Sequence, residues 1–320
     1  MTNQPGKTHL WKHISEIRKE TLQYILDRKD GKIKSIKTPW ANLNEALLDG
    51  LEWGGLYIIA ARPGVGKTAI SDQIARELKL HNPGLDMAVL KFQFEMTDRM
   101  TGGRELTSVL DVSIKQLFNA DPNRPILEDD IERISRYYAQ QHNDDIYQIS
   151  KSRTPAEFRN DVLEFHKYVK KPFMVMLDHS ILTKRAADEQ TQLETLYNLS
   201  AAIVDLKRRI PDSIYIILSQ MNRNIEDPAR REPGKIGNYP NSGDIFGADA
   251  LMQNCDATIA LTRPDLLGIN RYGQEKYVVT PGLIVAHLLK NRFGTQDIMF
   301  FKEDLKYYQI EAAPVPQRVK

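Results

Sequence analysis

Leu56-Tyr57-Ile58-Ile59-Ala60-Ala61-Arg62-Pro63-Gly64-Val65-Gly66-Lys67-Thr68 is the stretch whose reading decides the fold. Its opening apolar run suits a central strand of a parallel sheet, covered on both faces. Gly64 and Gly66 follow, and a helical pattern then spans residues 68–80. Glycines at those positions let successive backbone N–H groups face inward, and the new helix adds its positive N-terminal end. The result is a cradle for phosphate. Within it Lys67 reaches the β- and γ-phosphates of ATP, and the Thr68 hydroxyl ligands Mg²⁺. Arg62, Pro63 and Val65 complete the loop, while Ala61 stands where the strict motif has its first glycine. A chance glycine-rich turn could look similar, but the flanking strand and helix argue against it.

Working outward, apolar runs at 87–94, 146–149, 173–177, 213–218, 257–261, 283–289 and 297–301 read as further strands. Helical patterns at 98–109, 126–141, 156–169 and 193–210 lie among them, with a short helix at 42–48 upstream. This alternation predicts an α/β fold: a mainly parallel sheet with helices on both faces and ligands at the strands' carboxyl ends. Residues 222–249, with several prolines and glycines, break the pattern as a functional loop would. Before the core, Leu10, Ile14, Ile17, Leu22, Ile25 and Leu26 recur near helical period. A lone helix of this length is marginal in water, so its stripe packs on its own domain or docks on a neighbouring subunit. The expected division is an N-terminal tail and helix (1–34), an ATPase domain (35–311) and a flexible tail (312–320).

Of the 320 residues, 41% are hydrophobic, enough for a large core. Lys+Arg 44 against Asp+Glu 42 leaves the chain near neutral, so a nucleic-acid partner must be argued from local basic clusters. Cys255 is the sole cysteine, the first residues lack an apolar signal region, and no apolar run approaches the ~20 residues of a membrane span. The expectation is a cytoplasmic protein, of a bacterial cell or a phage-infected host, with no membrane partner.

Hydrolysis needs more than the cradle. Phe173-Met174-Val175-Met176-Leu177-Asp178 is an apolar strand ending in an acid, the form of a second Mg²⁺ ligand, although a strand-end Asp can also cap a turn. Glu95 ends the strand before it and would emerge on the same sheet edge as Lys67 and Asp178, as a base or water-orienting group. Gln220 follows the strand at 213–218, where an amide could sense the γ-phosphate.

With these elements in order, the chain resembles the RecA-like motor domain of the DnaB family of replicative helicases. Ala60-Ala61-Arg62-Pro63 before Gly66-Lys67-Thr68 is similar to that family's phosphate loop, and Phe94-Glu95-Met96 to its glutamate motif. Leu218-Ser219-Gln220-Met221-Asn222-Arg223 resembles its sensor motif, and Gln253-Asn254-Cys255-Asp256-Ala257 the segment beyond its DNA loop. Lys290-Asn291-Arg292-Phe293-Gly294 looks like its late basic motif. The resemblance makes Arg292 an arginine finger, with Lys290 its companion, on the γ-phosphate held by the next subunit. Read alone, the pair could equally make surface salt bridges. Two departures stand out: His179 where an aromatic is common, and Phe246 where an arginine is common. The family's large N-terminal domain is not expected from the short segment 1–34.

The resemblance implies an ATP-dependent replicative DNA helicase, a homo-oligomer forming a hexameric ring, with a primase or helicase loader as further partner. Contact with single-stranded DNA falls to Lys184 and Arg185 after Asp178, and to Arg223, Arg230, Arg231 and Lys235 in the long loop. Basic groups tracking phosphates suit a translocating motor, but a solvated loop has the same charge pattern. The alternatives are a RecA-like ATPase of recombination and a nucleotide-dependent loading partner. Strand exchange would select the first, and binding to another helicase without unwinding the second.

Overall fold

The computed structural model describes residues 11–140, 145–180, 183–230 and 238–318. The decisive run is β1 (Leu56–Ala61), buried along its whole length. It is followed by β2 (Ala88–Gln93), β3 (Ile146–Ile149), β4 (Phe173–Asp178), β5 (Ser213–Gln220) and β6 (Ala257–Thr262). A small hairpin, β7 (Arg271–Tyr272) and β8 (Tyr277–Val278), precedes β9 (Leu283–Asn291), β10 (Ile298–Asp304) and β11 (Gln309–Ala312). Among the described residues, nine strands form one sheet in the order β11-β10-β9-β6-β1-β5-β4-β2-β3. The segment from β6 to β3 is parallel throughout, and β9, β10 and β11 extend it antiparallel. Strand order reverses around β1, the topology that places ligands at the carboxyl ends of the strands.

Helices cover both faces: α1 (Ile14–Lys29), α2 (Ala41–Ala46), α3 (Lys67–Arg76), α4 (Leu78–His81), α5 (Asp98–Leu110), α6 (Ile114–Leu117), α7 (Glu128–Gln140), α8 (Pro155–Val169), α9 (Gln192–Arg209) and α10 (Ala248–Met252). The two-residue strand period divides the core. Tyr57, Ile59 and Ala61 of β1 join Ala69, Ile70 and Ile74 of α3, while Leu56 and Ile58 face Phe158 and Val162 of α8 and Leu199 and Ile203 of α9. Thr154 and Thr191 start α8 and α9 with reciprocal capping boxes, each worth about 1 kcal/mol. The ring of Trp40 donates to Ile310 O at 2.9 Å and packs edge-on to Phe301, closing the first and last parts of the domain on each other.

Several local details differ from the sequence reading. The helix expected over 68–80 breaks at Glu77 into α3 and α4. The hairpin β7–β8 has strands too short to show a period, and α10 lies where the loop pattern ends. Ala313 N donates to Phe300 O and Val278 N to Gln317 O, both at 2.9 Å, and Arg318 pairs with Glu275. Residues 313–318 therefore lie along the domain. Helix α1 buries none of its residues. Its C-terminal half is tied to the body by Tyr24 and Arg28, both bonded to Glu52, while Trp11, Ile14, Leu22 and Ile25 are each more than half exposed. Among the described residues no helix is long and apolar enough to cross a membrane.

Candidate nucleotide site

The turn from β1 to α3 has the strand, glycine turn and helix in the order read from the sequence. Gly64 and Gly66 have φ of 79° and 109°, backbone space that side-chain-bearing residues rarely enter. Ala61 is the last residue of β1 and is fully buried in the core shared with α3. Its methyl therefore belongs to the packing under the loop, where the strict motif has a glycine.

Lys67, at the first position of α3, sends Nζ to Asp178 Oδ1 at 2.9 Å, and Thr68 Oγ1 donates to Asp178 Oδ2 at 2.8 Å. Lys67 and Asp178 are 8% and 4% exposed, so this is a buried ion pair. Burial pushes the Asp178 carboxyl up, but the Lys67 ammonium and the two hydrogen bonds outweigh it and hold the carboxyl below its ordinary range. A hydroxyl beside an ionised carboxylate is an oxygen donor set that fits Mg²⁺, with the nucleotide's phosphates supplying further ligands. Among the described residues no three His, Cys, Asp or Glu side chains gather into a metal cluster of their own.

The loop opens into a cleft of about 310 Å³ lined by Lys67, Thr68, Glu95, Arg104, Gln220 and Tyr308, among others. That volume is at the lower end of ligand pockets. Glu95 is exposed and reaches this cleft because the chain after β2 runs beside β4, with Phe94 N bonded to Asp178 O at 3.0 Å. Gln220, at the end of β5, lies in register with Ala61. Its Nε2 lies 3.2 Å from Nε2 of the buried His179. Burial and the nearby Lys67 charge, against the opposing pull of Asp178, push the imidazole down to about 4, so it is neutral at pH 7. Arg62 also lines this cleft while its guanidinium is tethered outside the loop: Nε binds Glu226 at 2.6 Å and Nη1 binds Met221 O at 3.0 Å, joining the phosphate loop to the segment after β5.

Sequence reading missed Arg104 and Tyr308. Arg104 lies on α5, with its guanidinium 4.9 Å above the Tyr308 ring, and Tyr308 arrives with the β10–β11 turn. A cation on the helix after Glu95 was a usable signal; the approach of Tyr308, set by Ile310 N bonding to Gln73 of α3, was not.

Lys290 and Arg292 lie elsewhere. Lys290 pairs with Thr258 and Asn291 with Ala257, which is in turn level with Tyr57 at the start of β1. They thus stand at the sheet edge opposite the phosphate loop, about 20 Å away by the rise of a six-residue strand. Arg292 is half exposed and binds Asp256 at 3.0 Å, a carboxylate that also accepts from Lys207 and from Leu56 N. Lys290 Nζ is held by the carbonyls of Met252 and Gln253.

The basic loop residues divide. Lys184, Arg185 and Arg223 are exposed. Arg230 is engaged with Asp244 through two bonds, at 2.7 and 3.0 Å, and with Tyr239 O at 2.8 Å. Arg231 and Lys235 lie outside the described residues. Tyr239 packs against Tyr272 and His287, whereas Phe246 is exposed.

Residues 35–309 match the family model described as the DnaB-like helicase C terminal domain. This chain belongs to that family. It is 23% identical over 307 residues to the replicative DNA helicase DnaB of Geobacillus stearothermophilus, covering 94% of this chain and 63% of the relative. With the replicative DNA helicase DnaC of Bacillus subtilis it shares 22% identity, covering 96% and 64%. The chain therefore spans a little under two thirds of the length of these relatives. A solved structure of an ATPase domain superposes with a TM-score of 0.77 at 18% identity, covering 93% of this chain and 98% of that one. A DnaB-like replicative helicase, solved for its interactions with primase, gives 0.75 at 18% identity, covering 92% and 66%. These likenesses establish the RecA-like fold of a DnaB-like helicase ATPase domain.

Proposed function

We propose that this chain is the motor of a replicative DNA helicase, binding ATP with Mg²⁺ at the β1–α3 turn and hydrolysing it to move along single-stranded DNA and separate the strands of a duplex. The observation that carries the reading is the convergence of Lys67 and Thr68 on Asp178, in a cleft that Glu95 also lines. The backbone N–H groups of residues 64–68 and the start of α3 receive the phosphates, and Lys67 leaves Asp178 to meet them. Mg²⁺ held by Thr68 and Asp178 would neutralise phosphate charge. Glu95 orients and deprotonates the attacking water, and Gln220 senses the terminal phosphate.

Arg292 and Lys290 lie too far from their own subunit's cleft to serve it, which favours action in trans on a neighbour's γ-phosphate within a hexameric ring. The exposed stripe of α1 is the surface that docks on the next subunit. Lys184, Arg185 and Arg223, with Arg231 and Lys235 from the sequence, track DNA phosphates. Arg230, bound to Asp244, shapes the loop. A primase or a loader is the further partner. The relatives' names favour strand separation over recombination or loading.

ATP turnover with and without oligo-dT, together with unwinding of a forked duplex, tests the reading. Stimulated turnover with strand separation is expected. Turnover indifferent to DNA, or strand exchange in place of unwinding, would overturn it.

A further inference from the structure

Gln220 has two connections besides the cleft. Its backbone carbonyl accepts from Phe246 N at 3.0 Å, on the long loop, while its side-chain amide donates toward His179. His179 directly follows Asp178 and opens the segment that leads to Lys184 and Arg185. The ring is 4% exposed, and Gln220 is its hydrogen-bond partner among the described residues; Nδ1 is buried with none. Ser180 Oγ, Thr183 Oγ1 and Ser219 Oγ are also buried without a partner, on the same chain exit from β4 and the neighbouring end of β5. Buried polar atoms are nearly always paired, so the exit from β4 and the facing end of β5 keep hydrogen-bonding capacity that the described residues do not use. A ring placed there merely to fill space would need no acceptor nitrogen facing the amide.

We propose that His179 is a positioning residue for Gln220, and that their hydrogen bond carries the presence of the terminal phosphate from the cleft to the basic segment bearing Lys184 and Arg185. The inference rests on the reading of Gln220 as phosphate sensor. With phosphate bound, Gln220 turns toward it and releases the imidazole at the head of the segment after β4. Without phosphate the amide returns to His179.

The test is ATP turnover, with Mg²⁺ and with or without oligo-dT, in Gln220→Ala, His179→Phe, His179→Asn and the double variant Gln220→Ala/His179→Phe. Each of the first two lowers the ratio of DNA-stimulated to basal turnover by about five- to tenfold, and the double variant falls no further than the worse single one. His179→Asn, which keeps an oxygen to accept from the amide, recovers most of the ratio. Full stimulation in His179→Phe, or losses that multiply in the double variant, would overturn the proposal while leaving the sensor reading intact. Full stimulation in Gln220→Ala removes the sensor reading and the proposal with it. Should His179→Phe not fold, His179→Leu carries the same comparison.

Discussion

Removing Lys67 tests the electrostatics of the cradle apart from any nucleotide. In Lys67→Ala the Asp178 carboxylate stays buried and keeps one of its two side-chain bonds, that from Thr68. Breaking a buried pair from one side costs about 3–5 kcal/mol, far more than an exposed pair is worth. Taking about 3 kcal/mol and the lower end of the size-dependent scaling, the melting temperature falls by about 6 °C. The pH dependence has a definite sign. In the native chain the carboxyl is held low, so its contribution is present above the ordinary carboxylate range and is lost on acidification. In the variant, burial, the largest influence, loses its main opponent in Lys67, which raises the carboxyl and favours the folded state as pH falls. The stability gap between the two proteins is therefore widest near pH 7 and narrows toward pH 4. Nucleotide-free thermal scans at both pH values measure it. Lys67→Met/Asp178→Leu removes both charges at similar volume and should regain most of the loss. Equal melting temperatures for Lys67→Ala and the native chain at pH 7 would refute the buried-pair argument.

Glu95→Gln should retain ATP binding, measured by calorimetry, while turnover drops by about 10²–10⁴. Arg292→Ala should likewise bind ATP and lose about 10³-fold or more in turnover. Mixed with Lys67→Ala subunits it should recover part of that activity, since each variant supplies the half-site the other lacks. No recovery at any ratio would rule out action in trans. His287, buried and bonded to the Tyr272 hydroxyl at 2.7 Å, has its pKa pushed down to about 3 by burial. The folded chain keeps it neutral, so its contribution is whole above about pH 6.5 and erodes as pH falls toward 3, by at most roughly 4–5 kcal/mol. Urea melts across that range should show a slope that flattens in His287→Gln.

The sequence carried the cradle because its parts are contiguous. A strand, a glycine-containing turn and a helix fall within residues 56–76, and the chemistry of Lys67 and Thr68 follows from that spacing. Asp178 and Glu95 were legible for a related reason: parallel strands put their carboxyl ends on one edge, so an acid at the end of a strand is an acid near the loop. What stayed hidden depends on distant pairings. Arg62 reads as a nucleotide-binding residue from its place in the loop, and nothing in that place announces its ion pair with Glu226; Arg230 reads as a DNA contact, and its pairing with Asp244 is equally invisible. Tyr308 enters the cleft only because β11 lies against α3. Charge and spacing along a chain do not say which carboxylate a guanidinium meets.

The placement of Arg292 follows from a change of strand direction that periodicity cannot register. An apolar run looks the same whether its strand runs with its neighbours or against them. Because β9 returns antiparallel to β6, its basic end arrives beside the start of β1, while the phosphate loop leaves the far end of that strand. Asp256 then grips Arg292 and accepts from Leu56 N at the same time. A single rigid strand, buried on both faces, thus has the proposed cradle at one end and the anchor of the proposed finger at the other.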